Sequence, residues 1–339
     1  MSILRFLVLM LKGAAMGTAN VIPGVSGGTI ALITGIYEDL INTLKSFDRK
    51  AVKFFFTGDF RKCFTHLNGP FACALGIGVF ASLFTVAGLL DYSFRKDLTL
   101  TFAFFFGLIL ASIFLVGRQV PKWNPLTGLA LLSGIATAAS IVFIKPLGEN
   151  NATLYIFLCG VVAMCSMILP GISGSFILIL MGNFFLIIKS TNQFKLGVLA
   201  LCGVGEVAGN TPTGSLLQSL GVLVPFAAGC VVGLLGFSRI LSIVLDKFKS
   251  TVLAALTGFV AGSLAVIWPW KDISIQTETG LQTIHPGELL PEGYRILEFQ
   301  NWHLPPIDKP LLLAVLLMLA GAGLVLLFDK LAGNHKTRK

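Results

Sequence analysis

Apolar residues in this chain fall in long runs separated by short polar stretches. The runs are Phe71 to Leu90, Leu98 to Val116, Leu126 to Ile144, Leu154 to Ile187, Val222 to Leu235, Val252 to Trp268 and Leu311 to Phe328. Several reach the roughly 20 residues that a helix needs to cross about 30 Å of hydrocarbon. No stretch between them suits a soluble domain of ordinary size. The pattern predicts an all-α polytopic membrane protein.

Two apolar segments are interrupted in the same way. NVIPGVSGGTIALITG runs from Asn20 to Gly35, and MILPGISGSFILILMG from Met167 to Gly182. At one constant spacing, Pro23, Gly24, Ser26, Gly27, Ile30 and Gly35 meet Pro170, Gly171, Ser173, Gly174, Ile177 and Gly182. Proline lacks an amide hydrogen and restricts the residue before it, so an incoming helix stops at Pro23 and at Pro170. Gly24 and Gly171 permit a sharp turn. Ser26 and Ser173 then suit the capping position of a new helix, which the apolar residues from Ile30 and Ile177 continue. Further along, Gly107, Ala111 and Ser112 are echoed by Gly258, Gly262 and Ser263.

The chain therefore reads as two repeats. Residues 1–148 comprise a broken, re-entrant helix hairpin (3–41), a cytoplasmic loop (42–69) and three transmembrane helices. Residues 149–339 comprise a hairpin (153–188), three transmembrane helices, an external loop (270–310) and a cytoplasmic tail. A hairpin returns to the side it entered from, and three further spans then put the second half on the opposite face. The repeats are expected to be inverted, as in secondary transporters whose sites lie near the midplane between discontinuous helices.

The first amides of a helix have no intrahelical partner, and the dipole adds partial positive charge there. Irregular backbone at membrane depth is tolerated only against protein or a water-filled cavity. Two such starts meeting midway would make an anion site. The candidate set is Asn20, Gly24, Ser26, Gly27, Gly28 and Thr29 from the first break, with Gly171, Ser173, Gly174 and Ser175 from the second. A single copy would read as a packing kink, but two copies in opposed halves favour a site. Gly107, Gly258 and Gly262 read as packing positions. Lys12, Glu38, Arg118 and Arg239 are candidates for headgroup or coupling roles. Snorkelling (Lys12), contact with anionic lipid (Arg118, Arg239) and a solvated helix end (Glu38) are the plainer alternatives.

The chain is 55% hydrophobic and 12% charged, with a net charge of +9. That charge sets topology rather than indicating nucleic acid. Lys45, Arg49, Lys50, Lys53, Arg61 and Lys62 crowd the loop after the first hairpin, and Lys330, Lys336, Arg338 and Lys339 the tail, so both are expected in the cytoplasm. Acidic residues from Asp272 to Asp308 mark the external loop. The first segment runs straight into the repeated motif, so it is not expected to be a signal peptide. Six cysteines without a CxxC pair read as buried thiols. There is no HExxH and no P-loop. GVSGG lacks the strand and the intramembrane His or Asp that would activate Ser26. No catalytic residue, metal site or cofactor is expected, only a coupling proton or sodium ion.

KGAAMGTANVIPGVSGGTIALITGIYEDLI, the second copy SMILPGISGSFILILMGNF and the run FFFGLILAS resemble the bacterial and archaeal polyprenyl-phosphate (undecaprenyl-phosphate) transporter family, formerly domain of unknown function 368. The resemblance covers nearly the whole chain. It implies a lipid-phosphate flippase that returns undecaprenyl phosphate from the outer to the cytoplasmic leaflet of the bacterial inner membrane. The two PG-[VI]-SG tips would then surround the phosphate. The partners expected are that lipid, bulk membrane lipids and a second copy in a homo-oligomer. A transporter of a small soluble anion, an intramembrane lipid-modifying enzyme and a structural scaffold remain the alternatives. The polar stretch Lys189 to Ser219 and the loop Lys271 to Lys309 depart from the family pattern.

Overall fold

The computed structural model describes residues 3–21, 26–141, 143–201, 212–277, 280–291, 295–306 and 309–333. In chain order its elements are α1 (Ile3–Val21), α2 (Gly27–Ile33), α3 (Tyr37–Lys45), α4 (Arg49–Phe56), α5 (Phe60–His66), α6 (Gly69–Lys96), α7 (Leu98–Gly117), α8 (Pro125–Ile141), α9 (Thr153–Ile168), α10 (Gly174–Leu180), α11 (Phe184–Leu201), α12 (Pro212–Gly262) and α13 (Leu264–Ile267). The strands β1 (Lys271–Thr277), β2 (Gly280–Ile284) and β3 (Arg295–Trp302) follow, then α14 (Lys309–Gly333). α12 breaks at Phe248, whose φ of −130° and ψ of 42° are not helical. Among the described residues five helical segments are long and apolar enough to cross a membrane. The protein is thus mostly helical and multi-pass.

One unit comprises Met1–Phe143, Ile168–Ile172 and Ser238–Lys339. Its helices associate in pairs through small residues that let backbones touch. A Cβ on Gly78 of α6 would collide with the Met10 carbonyl of α1. One on Gly107 of α7 would collide with the Met318 carbonyl of α14, and one on Gly258 of α12 with the Leu131 carbonyl of α8. Gly107, Gly258 and Gly262 are therefore packing positions, as expected. Gly107→Val should force α7 and α14 apart and cost about 1–3 kcal/mol, as overpacking typically does. A lowered unfolding temperature of the detergent-solubilised chain would register it, and an unchanged one would refute the close approach.

The second unit comprises Ile144–Met167 and Ser173–Phe237. Here α9 packs on the first part of α12 in the same manner, with Gly160 against the Phe226 carbonyl and Gly229 against that of Phe157. Cys159, Ala163 and Leu178 form its centre with Tyr155, Met181 and Phe184 around them. Asn183 is fully buried and ties the unit's entry, accepting from the Asn150 amide at 2.9 Å and donating to its carbonyl at 2.8 Å.

Two segments expected as loops carry structure. The basic stretch 42–69 holds α4 and α5. The acidic stretch 270–310 holds an antiparallel sheet of order β2-β1-β3. Alternation explains the central strand, because Ile273 and Ile275 point inward and are fully buried. Lys271 shares their parity and is carried inside with them, 1% exposed. Its ammonium donates to the Trp268 carbonyl at 2.6 Å and lies over the Phe102 ring at 3.8 Å. Burial pushes its pKa well below the usual lysine range. The sheet is held to the beginnings of α7 and α14, where Trp270 packs with Ala103 and Ala314.

Candidate functional site

α1 ends at Val21 and α2 starts at Gly27, with Ser26 extended at the cap (φ −118°, ψ 142°). The helix start lies in the interior, Ser26 at 1% and Thr29 at 0% exposure. Its donors must therefore find partners. The Gly27 amide donates to Asn20 Oδ1 at 2.7 Å, and the Gly28 amide to Ser26 Oγ at 3.1 Å. The expected amides are present, but in this conformation Asn20 and Ser26 hold two of them. Gly24 lies outside the described residues.

The second break meets the first. Beyond the end of α9 the chain turns through Gly171, whose φ of +81° favours glycine. Its amide donates to Thr29 Oγ1 at 2.8 Å, in a buried position. Tyr37 is 2% exposed, and its hydroxyl donates to the Ile168 carbonyl at 3.1 Å. A Cβ on Gly28 would lie 2.6 Å from that same carbonyl, so only glycine lets α2 approach the turn this closely. Ser173 follows in extended conformation at the cap of α10 without capping it. Its Oγ instead shares a 2.8 Å hydrogen bond with Ser175 Oγ. Gly174 packs against the Ala163 carbonyl.

The four headgroup or coupling candidates lie away from the helix start. Lys12 reaches the far end of α2, where its ammonium donates to the Thr34 carbonyl at 2.7 Å. A cation there complements the negative end of the helix dipole. Gln119 donates to the neighbouring Leu32 carbonyl at 3.1 Å. Glu38 pairs with Lys249 at 2.6 Å, both about half exposed. That pair borders a cavity of about 340 Å³ whose lining also includes Leu32, Tyr37, Gln119 and Leu253. Arg118 lies over the Phe114 ring at 4.2 Å, and Arg239 donates to the Phe47 carbonyl at 2.9 Å.

Tyr37, Gln119 and Lys249 escape a reading of the sequence. Tyr37 offered the clearest signal, a phenol inside the apolar return arm of the first motif. Gln119 and Lys249 are ordinary polar residues at span ends, and only the fold brings them to α2 and α3. Among the described residues no group of three or more His, Cys, Asp and Glu is arranged to hold a metal ion.

A multi-pass helical protein in which the turn at Gly171 touches, in the buried interior, the start of the helix that follows the first proline–glycine motif has the construction of a transporter with discontinuous helices. Residues 16–283 match the undecaprenyl phosphate translocase-like family, and the chain belongs to that family. A polyprenyl-phosphate transporter of Vibrio cholerae is 36% identical over 330 residues, covering 97% of this chain and 98% of the relative. Another, from Staphylococcus aureus, is 29% identical over 272 residues, covering 77% of this chain and 85% of the relative. No solved structure matches the chain. By its family the chain is a transporter, not an enzyme.

Proposed function

We propose that this protein moves polyprenyl phosphate, with undecaprenyl phosphate as its substrate, from the outer to the cytoplasmic leaflet of the bacterial inner membrane. The observation that carries the proposal is the hydrogen bond from the Gly171 amide to Thr29 Oγ1, which joins the two breaks in the interior. A lipid phosphate needs only its headgroup escorted through hydrocarbon while its chain stays in the bilayer. The start of α2 offers groups that exchange readily: as Asn20 and Ser26 swing aside, the Gly27 and Gly28 amides become donors to phosphate oxygens. Thr29 adds a hydroxyl, and Ser173 and Ser175 follow the second turn along the chain.

An inverted repeat is part of this proposal, and helix pairing supports it. α1 pairs with α6 as α9 pairs with the first part of α12. α7 pairs with α14, the last helix of the other half, as the second part of α12 pairs with α8, the last helix of the first half. Both termini and the α4–α5 stretch are then cytoplasmic, and the sheet is external.

Carrying one negative charge inward against an inside-negative potential costs roughly 2.3 kcal/mol per 100 mV. The proposal therefore includes a proton or sodium ion moving with the lipid. The test is leaflet-resolved movement of labelled polyprenyl phosphate in proteoliposomes under an imposed proton or sodium gradient. Protein-dependent movement that slows at least roughly tenfold when both gradients collapse is the expected result, since 1.4 kcal/mol corresponds to a factor of ten. Movement indifferent to both gradients would remove the coupling, and none above protein-free vesicles would overturn the proposal itself.

A further inference from the structure

We infer that α4 and α5 form a foot that lies in the membrane interface and binds anionic lipid headgroups. α5 is bent by 73° from the first part of α6, with the turn made at Asn68, whose φ is +49°. If α6 crosses the bilayer, α5 runs close to its plane. The two short helices face each other through buried Ala51 and Cys63, the thiol 3.6 Å from the Ala51 carbonyl. Beside that contact the two helices share a second, apolar face that is uncovered. Phe55 is 58% exposed, Phe56 82% and Phe60 63%. Phe55 meets the rings of both Phe56 and Phe60 edge-on, at 5.7 and 5.8 Å, so the two helices share one aromatic patch.

Charge identifies what covers that patch. On α4, Val52, Phe55 and Phe56 stand at helical spacing, with Arg49 and Lys53 along their border. The acids in this stretch are engaged locally. Asp48 accepts from the Lys50 and Ala51 amides and contacts His66, while Asp59 pairs with Lys62. Among the described residues Arg49, Lys50, Lys53 and Arg61 form no ion pair. A short helix with aromatic residues on one face and unpaired cations at its edge suits the boundary between acyl chains and anionic headgroups. A soluble polyanion would satisfy the cations but leave the phenylalanines in water.

The test is hydrogen–deuterium exchange of residues 47–66 in the full chain. Nanodiscs of phosphatidylcholine alone are compared with discs that also contain phosphatidylglycerol. Exchange is expected to slow about fivefold or more in the anionic discs, an effect that high salt reverses. The combined change Lys50→Gln, Lys53→Gln and Arg61→Gln should abolish the difference, while exchange elsewhere in the chain shows that the variant has folded. Equal exchange in both discs would overturn the inference, as would lipid protection that survives the charge removal. Equal protection by soluble polyphosphate in zwitterionic discs would also overturn it, in favour of a soluble polyanion. No transport is read out, so the outcome is independent of the function proposed above.

Discussion

Thr29→Val lowers polyprenyl-phosphate movement in proteoliposomes roughly ten- to a hundredfold, because it leaves the buried Gly171 donor without its acceptor at a cost of about 1–3 kcal/mol. Valine keeps the volume and the β-branch of threonine and removes only the hydroxyl oxygen. Nothing else in the buried shell around α2 has to move to accommodate it. The lost bond is the one that ties the second turn to the first helix start, at 2.8 Å. Freed from it, the Gly171 amide no longer has a partner to fix its direction. Thr29→Ser restores an acceptor at the same position and should recover most of the rate. Equal rates in wild type and Thr29→Val, with both proteins folded, would show that the junction of the two breaks has no part in transport.

The same junction shows how far the sequence reaches. The repeated proline, glycine and serine at Pro23, Gly24 and Ser26, and again at Pro170, Gly171 and Ser173, announce where two helices break. They do so because proline and glycine act on the local backbone, and local effects are written in adjacent residues. The contact of Thr29 with Gly171 is different in kind, joining positions 142 residues apart. The motif marks both as special without saying that they are partners. Lys12 shows the limit from the other side. A lysine in an apolar run suggests a bound phosphate or a snorkelling chain, yet the nearest need was the carbonyl end of α2. The sheet, too, has a signature in the sequence. ISIQT and LEFQ alternate with period two, but a run of acids between two spans suggests only an exposed loop. Helix pairing was partly visible too, since glycines at Gly107 and Gly258 signal close approach but not the identity of the facing helix.

Asp272→Asn should make the sheet's protection from hydrogen exchange, corrected for the intrinsic rate, nearly insensitive to pH between about pH 4 and 9, whereas the unaltered protein loses protection across the alkaline part of that range. Asp272 is 3% exposed and gathers three side chains: His285 Nδ1 and His303 Nε2 at 2.9 Å, and Asn301 Nδ2 at 3.0 Å. Burial raises the carboxyl pKa, but the hydrogen bonds from Asn301, His303 and His285 together outweigh it and hold the group down at about 2. In turn the hydrogen bond and charge of Asp272 raise the pKa of His285. The two groups act at opposite ends of the pH scale. A depressed carboxyl stabilises above its ordinary value of 3.8 and ceases to do so only as pH falls toward 2. A raised imidazole stabilises fully below its ordinary 6.5 and ceases to do so as pH climbs through its elevated value. The cluster is therefore tightest in mildly acidic solution and loosens on the alkaline side. Glu288, whose carboxylate accepts from the His285 amide at 2.8 Å, favours the charged imidazole as well. Lys271, next in the strand, is turned to the opposite face against Phe102 and adds no competing charge to the cluster. Amides of β1 and β3 should exchange roughly tenfold faster at pH 9 than at pH 5.5 beyond the intrinsic pH effect, the scale of one lost charged hydrogen bond. In Asp272→Asn that excess should shrink to the small part that Glu288 maintains, because asparagine removes the charge that raises the His285 pKa most. A pH profile identical in the two proteins would mean that the carboxylate does not hold the histidines, and that the sheet's stability arises elsewhere.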